Sequence, residues 1–272
     1  MTLIDTHCHL NTMIKKEFDQ PLPTNFKQLT LPIILAAQQQ NVSIIINVGT
    51  SLIESENCVQ LATTFENVWA TLGTHPNDLT ATWKDDVTAY KKMLEGPYKH
   101  KIVGIGEIGL DYHYPKYDKQ RQYNGFKAQI ELALEYNLPI IIHTRDAHDE
   151  TLKIVEEYKH NNLRGIIHCF SESASFAQHA RELNFLLGMG GTITYPKNQY
   201  LRDICIETPL TSIVLETDAP FLPPQYMRGQ QNSPTQIAYI AQFLATLKNV
   251  TIEKVAQQTT INALNLFSIS LN

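Results

Sequence analysis

The chain has 272 residues, a formal net charge of -5, and a composition that is 43% hydrophobic and 18% charged. That is ordinary globular material, enough for one large α/β domain or two small ones. The charge excludes a protein that coats nucleic acid nonspecifically, which needs a basic face; it leaves room for a nucleic-acid enzyme, because bound divalent ions supply positive charge where a phosphate sits. Cys8, Cys58, Cys169 and Cys205 are widely spaced and form no C-x-x-C pair, as in a reduced cytosolic chain with buried thiols. The N-terminus runs directly into a strand without the charged and apolar regions of a signal peptide. No apolar run reaches the length of a membrane span. These features predict a cytoplasmic protein, with no membrane attachment and no obligate protein partner.

Leu3 to His9 (LIDTHCH) reads as the first strand. Side chains alternate along a strand, so His7 and His9 share a face while Cys8 points away, giving a two-ligand metal clip. Residues 11-32 contain Pro21, Pro23 and Pro32, which predicts an irregular loop before a helix from Ile33 to Gln40. Val42 to Gly49 is a β-branched run suited to a strand buried on both faces. A helix over 55-65 and a strand over 68-76 follow, the strand leaving through His75. After a helix over 83-94, Ile102 to Tyr112 places Glu107 inside an apolar, glycine-rich strand. A buried, unpaired carboxylate is costly, so Glu107 calls for a cationic partner or a metal.

Helical spacing returns over 119-136, with Tyr123, Phe126, Ile130, Ala133 and Leu134 on one face. Strands over 138-145 and 165-170 carry His143 and His168 at their exits, with a helix over 150-159 between them. A helix over 173-183, a strand over 185-191 and a short helix over 199-206 lead to an eighth strand, Ile213 to Asp218. Pro220, Pro223 and Pro224 make the next stretch a rigid loop, and helices over 234-247 and 252-267 complete the chain.

Eight short apolar strands alternating with helices predict an α/β fold of the (β/α)8 TIM-barrel type, as a single domain over 1-272. A doubly wound open sheet is the competitor, but no G-x-G-x-x-G opens a helix after a strand. In a barrel, His7, His9, His75, Glu107, His143, His168 and Asp218 all fall at or near the C-terminal strand ends, where such folds place their active sites. A lone strand-end histidine is most simply a rim or core residue; the shared location is what argues for a site. Even with His75 set aside, four histidines and two carboxylates exceed one tetrahedral zinc site. Two metals bridged by Glu107, with an open position for water, satisfy the count, and such a pair does hydrolytic chemistry on a phosphate or carbonyl ester.

The same residues carry a resemblance. Asp5-Thr6-His7-Cys8-His9-Leu10, Gly73-Thr74-His75-Pro76, Gly106 to Tyr112, His143 to Ala147, His168-Cys169-Phe170-Ser171 and Leu215 to Pro220 together resemble the TatD-family metal-dependent deoxyribonucleases, within the amidohydrolase-like barrels. The resemblance runs nearly end to end. It implies that His7, His9, Glu107 and Asp218 hold one divalent ion and Glu107, His143 and His168 another, the metals being magnesium, manganese or zinc. It also implies DNA as partner and substrate, commonly single-stranded and cut from the 3′ end. The chain departs from the family pattern at Asn77, where a second histidine is common, and at Gln230 to Pro234, in place of a basic stretch with Asn-Glu-Pro. Both departures concern the rim and bear on substrate preference.

Asp218 is the expected base for the attacking water as well as a ligand, with Glu107 the other catalytic carboxylate. Glu216 lies deeper on the same face, as a hydrogen-bonded core carboxylate or a support for a ligand. His75 and Arg145 are expected to contact substrate phosphate, Arg145 alternatively pairing with Asp111 or Asp146. Tyr112 is expected either to stack on a base or to pack under a loop. Lys116, Lys119 and Arg121 read as a solvated helix start, and His100, His113, His148, His160 and His179 as surface residues. Cys8 and Cys169 are expected to face away from the ligands. Two other functions remain open: hydrolysis of an aminoacyl-tRNA ester or small phosphoester at the same site, and a non-catalytic scaffold with structural metals.

Overall fold

A computed structural model describes residues 1–15 and 17–270. Eight parallel strands run in chain order: β1 (Leu3–Cys8), β2 (Val42–Asn47), β3 (Val68–Leu72), β4 (Ile102–Asp111), β5 (Ile140–Arg145), β6 (Gly165–Ile167), β7 (Phe185–Met189) and β8 (Ile213–Leu215), each paired with the next. Helices fill the connections, and the result is the expected (β/α)8 barrel. Registers such as Ile45 opposite Val68 and Ile142 opposite Ile167 stack β-branched side chains in layers.

The strands bury two sets of side chains. Ile4, Ile44, Ile46, Val103, Ile141, Ile166 and Val214 form an inner cluster, joined by Leu266 and Phe267 from the last helix, Ile252–Phe267. The alternate residues, such as Leu3, Ile45, Ile105 and Ile140, pack in a larger cluster with apolar helix faces. Fully burying an isoleucine contributes about 1.5–3 kcal/mol, so this two-sided layering explains the unbroken apolar runs within strands such as Ile44 to Ile46 and Ile140 to Ile142.

The seam between β1 and β8 is closed differently from the other seven. There is one isolated bridge, Cys8 to Ala219. The Asp218 N–H donates to the His7 carbonyl and the His9 N–H to the Ala219 carbonyl, both at 2.8 Å. Thr6 Oγ1 donates to the Leu215 carbonyl at 3.0 Å. Three site residues, His7, His9 and Asp218, therefore sit on the strands' ends at the closure itself.

Three expectations change. Phe26–Gln39 is helical through Pro32, where an irregular loop was expected. Phe26, Thr30, Ile34 and Ala37 bury one face while Pro32 lies on the exposed side, so packing outweighs the missing backbone bond. The third, sixth and eighth strands are shorter than expected, leaving His75, His168 and Asp218 just beyond their ends. His148 is half-buried, with Nε2 2.9 Å from Glu172, where a surface residue was expected. No helix among the described residues is long and apolar enough to cross a membrane.

Candidate metal centre and active site

β1 delivers His7 at 0% and His9 at 4% exposure, and the local chain fixes their orientation. His9 Nδ1 is 3.0 Å from the Val48 carbonyl. A carbonyl can only accept, so Nδ1 carries a proton and Nε2 is the nitrogen turned toward the cluster. That Nε2 lies 3.1 Å from His7 Nε2, 3.8 Å from Glu107 Oε2 and 3.3 Å from Asp218 Oδ1. His7 Nε2 is in turn 3.4 Å from Glu107 Oε2 and 3.6 Å from Asp218 Oδ1. Ligands bound at about 2.0–2.2 Å in a tetrahedron stand roughly 3.3–3.6 Å apart. Once free of a proton at Nε2, two imidazole nitrogens at these separations from two carboxylate oxygens fit a divalent cation.

Glu107 reaches this point because β4 runs close to β5: a Cβ at Gly109, whose φ is +146°, would lie 1.9 Å from the His143 carbonyl. The second Glu107 oxygen, Oε1, faces His143 Nδ1 at 2.9 Å, His75 Nε2 at 3.8 Å and His168 Nε2 at 4.0 Å. Glu107 thus divides the site, one oxygen toward His7 and His9 and the other toward His143 in β5 and the histidines just after β3 and β6. Burial would raise its pKa, but hydrogen bonds with His143 and His7 outweigh it and hold Glu107 well below the usual carboxylate range. Asp218 is also held low, against burial, chiefly by His9.

Supporting carboxylates stand behind two histidines. Glu216, 1% exposed, accepts the Cys169 N–H at 2.6 Å and lies 3.0 Å from His168 Nδ1, off the line of a good hydrogen bond. Burial lowers His168, yet Glu216 outweighs it and pushes the imidazole up to about 10. Gly188 makes the space: a Cβ there would meet Glu216 Oε2 at 2.2 Å. Asp111 Oδ2 is 3.1 Å from His143 Nε2; against the lowering by burial, Asp111 and Glu107 push His143 up to about 9. His75, Asp111 and His143 make a further group with ligand spacing. Burial, with His143 beside it, pushes His75 down to about 4, so it is neutral at ordinary pH.

Sequence reasoning missed Asp5. Its carboxylate, 0% exposed, accepts the Thr217 N–H at 3.0 Å, the Thr217 hydroxyl at 2.6 Å and the His7 N–H at 3.2 Å. Its signal was legible: by period two Asp5 shares a face with His7 and His9.

The cluster opens into a cavity of ≈ 950 Å³. His75 and Arg145 line it, and so do Lys197, Arg228, Phe18 and Phe221, which were not singled out. Arg145 forms no ion pair with Asp111 or Asp146 among the described residues; its guanidinium lies over the Tyr114 ring at 5.4 Å, while Asp146 pairs with His113. Tyr112 takes the packing alternative: it stacks on Tyr117 with centroids 4.6 Å apart and does not line the cavity, whereas Tyr114 does. Cys8 is buried as expected, but Cys169 lines the cavity.

Known proteins resemble this chain over nearly its whole length. A family model described as TatD related DNase matches residues 4–268. The chain is 35% identical over 268 residues to the uncharacterized metal-dependent hydrolase YabD of Bacillus subtilis, covering 98% of this chain and 100% of that one. It is 29% identical over 252 residues to the 3'-5' ssDNA/RNA exonuclease TatD of Erwinia amylovora, covering 90% and 96%. The crystal structure of the TatD homologue YjjV from Escherichia coli superposes with a TM-score of 0.88 at 31% identity, covering 98% of each chain.

Proposed function

The chain belongs to the TatD-related DNase family of metal-dependent hydrolases, and from that premise we propose that it hydrolyses the phosphodiester bonds of DNA, acting on single strands from the 3′ end. The observation that carries the hydrolytic part is the pair His7 Nε2 and His9 Nε2, 3.1 Å apart, each lying 3.3–3.8 Å from both Glu107 Oε2 and Asp218 Oδ1. The nucleic-acid part is supported by the exonuclease relative and by Arg145, Lys197 and Arg228 around the cavity, since guanidinium and ammonium groups suit phosphate.

In this reading His7, His9, Glu107 and Asp218 hold one divalent ion and Glu107, His143 and His168 a second, magnesium, manganese or zinc. Bound there, the ions supply Lewis acidity that lowers the pKa of water and offsets charge developing on phosphate oxygens. The protein's own groups do the rest. Glu216 and Asp111 orient His168 and His143 from behind. Asp218, whose side chain is 14% exposed against 6% for Glu107, is the more open of these two carboxylates and takes the proton of the attacking water. Arg145 and the neutral His75 donate to phosphate oxygens. The four free cysteines suit a reducing compartment such as the cytoplasm.

The test is release of nucleotides from single-stranded DNA by the metal-loaded protein, its abolition by EDTA and its recovery on adding divalent metal. Duplex DNA, RNA and aminoacyl-tRNA run in parallel at equal metal occupancy; a large preference for the aminoacyl ester would overturn the nuclease reading.

A further inference from the structure

Two exposed phenylalanines stand beside the ligand cluster. Phe18 and Phe221 are 58% and 41% exposed and both line the central cavity. Their rings are nearly parallel, 11° apart, with centroids separated by 6.5 Å. Successive bases in a nucleic-acid strand stack about 3.4 Å apart, so a flat ring held between two face-to-face rings needs roughly twice that distance between their planes, a spacing that the 6.5 Å between centroids approaches when the two rings lie directly over one another. Phe221 also meets the His9 ring edge-on at 5.9 Å. A planar group between the phenylalanines therefore adjoins the ligand cluster.

Both rings stand on segments tied down from behind. The Phe221 N–H donates to the Asp218 carbonyl at 2.7 Å, and its own carbonyl accepts from Asn232 Nδ2 at 2.7 Å. Asn232 is buried and donates to the Thr217 carbonyl as well, at 2.8 Å. On the other side, the Asp19 N–H donates to Glu54 Oε1 at 2.7 Å and the Asp19 carboxylate accepts the Ser51 hydroxyl. Glu54 is buried and paired with Lys15 at 2.5 Å. Two large apolar rings kept in water on ordered supports, within a cavity that also presents cations, are a surface that gains by covering.

We propose that Phe18 and Phe221 sandwich one nucleobase of the substrate strand, the base next to the scissile phosphate. The proposal rests on the nuclease reading and gives it a specificity device: recognition of a base as a flat ring, with little sequence preference, because every base has a π-face.

The experiment uses metal-loaded protein and short strands, deoxy and ribo, with hydrolysis-resistant phosphorothioate links and 2-aminopurine placed in turn at the last and next-to-last positions. Stacking quenches this base. Quenching is expected with the wild-type protein at one of these positions, with apparent affinity lowered about 5- to 100-fold in Phe18→Ala and Phe221→Leu. On cleavable strands, replacing that base by an abasic residue raises KM by a similar factor in the wild type and adds nothing further in Phe18→Ala. Phe18 is mostly exposed and Phe221→Leu keeps an apolar contact for His9, so one variant serves if the other fails to fold. Hydrolysis with quenching unchanged in the variants, or an abasic penalty equal in wild type and variant, removes the sandwich and leaves the nuclease reading standing. No hydrolysis of any strand by well-metallated wild-type protein removes both.

Discussion

The carboxylate of Asp5 holds Thr217 by two hydrogen bonds, from its N–H at 3.0 Å and its hydroxyl at 2.6 Å, across 212 positions of sequence. The pair spans the barrel seam where His7 and Asp218 must meet, so it couples closure of the fold to assembly of the site. Asp5→Ala leaves the Thr217 and His7 N–H groups buried without their acceptor. A loss of roughly 2–4 kcal/mol of stability is expected, with metal affinity lower by about 10- to 100-fold. Urea unfolding and metal titration check both; a wild-type midpoint would show that the seam does not depend on this pair.

Glu216 and Gly188 give a matched pair of variants. Glu216→Gln removes the charge facing His168 while keeping the shape, and Gly188→Ala drives a methyl group to 2.2 Å from the carboxylate. Both are expected to lower metal affinity about 10- to 100-fold, and Glu216→Gln also to lower the thermal midpoint of the metal-free protein, because Glu216 is what holds His168 protonated. Metal content after dialysis against a weak chelator reads the effect.

The metal-free protein should depend on pH in two opposite ways. His168 and His143, held at about 10 and about 9 against an ordinary 6.5, bind protons more tightly folded than unfolded. Their stabilisation is present below pH 6.5 and is lost as pH rises toward 9–10. Asp111, held down to about 2 against 3.8, contributes above 3.8 and loses its contribution as pH falls through about 2. Divalent metal must displace the histidine protons, so its affinity should rise with pH and its binding should release protons. Calorimetry in buffers of different ionisation enthalpy measures the release; affinity constant from pH 6.5 to 9 would contradict the assignment.

Glu107→Ala removes the carboxylate that both halves of the cluster share. Loss of bound metal and a fall in kcat of about 10⁴-fold are expected. A function that survived with the metal gone would support the scaffold alternative. Asp218→Asn should lower kcat by about 10²- to 10⁴-fold with KM little changed, the signature of a group acting on the proton.

Arg145→Ala tests whether this guanidinium binds phosphate at the mouth. A charge-assisted hydrogen bond of about 1.5–3 kcal/mol corresponds to a KM raised roughly 10- to 100-fold. The dependence of log KM on log salt should become shallower by about 0.7 for each phosphate of a single strand that the variant no longer neutralises. An unchanged KM would mean that Arg145 serves only to cover Tyr114.

Most of the ligand cluster was legible because its signal is local. A histidine or acid at the end of an apolar strand is visible in the sequence, and period-two alternation put His7 and His9 on one face before any fold was known. The order of strands followed from the βα alternation, and the barrel then placed every such end on one rim. The helix containing Pro32 was illegible because packing of Phe26, Ile34 and Ala37 overrides a local breaker.

By itself the sequence determined the barrel, the family and the residues that gather at the strand ends, since each depends on local pattern plus a short list of topological rules. Only the tertiary structure decided that Asp5 answers to Thr217, that Glu216 stands behind His168 while Asp111 stands behind His143, and that Arg145 lies over Tyr114. It also decided that Tyr112 is stacked against Tyr117 and that Phe18, from the loop after β1, faces Phe221, from the loop after β8. The physical reason is the same throughout. Loop side chains take their positions from partners distant in sequence, and no periodicity within a loop records which partner that will be.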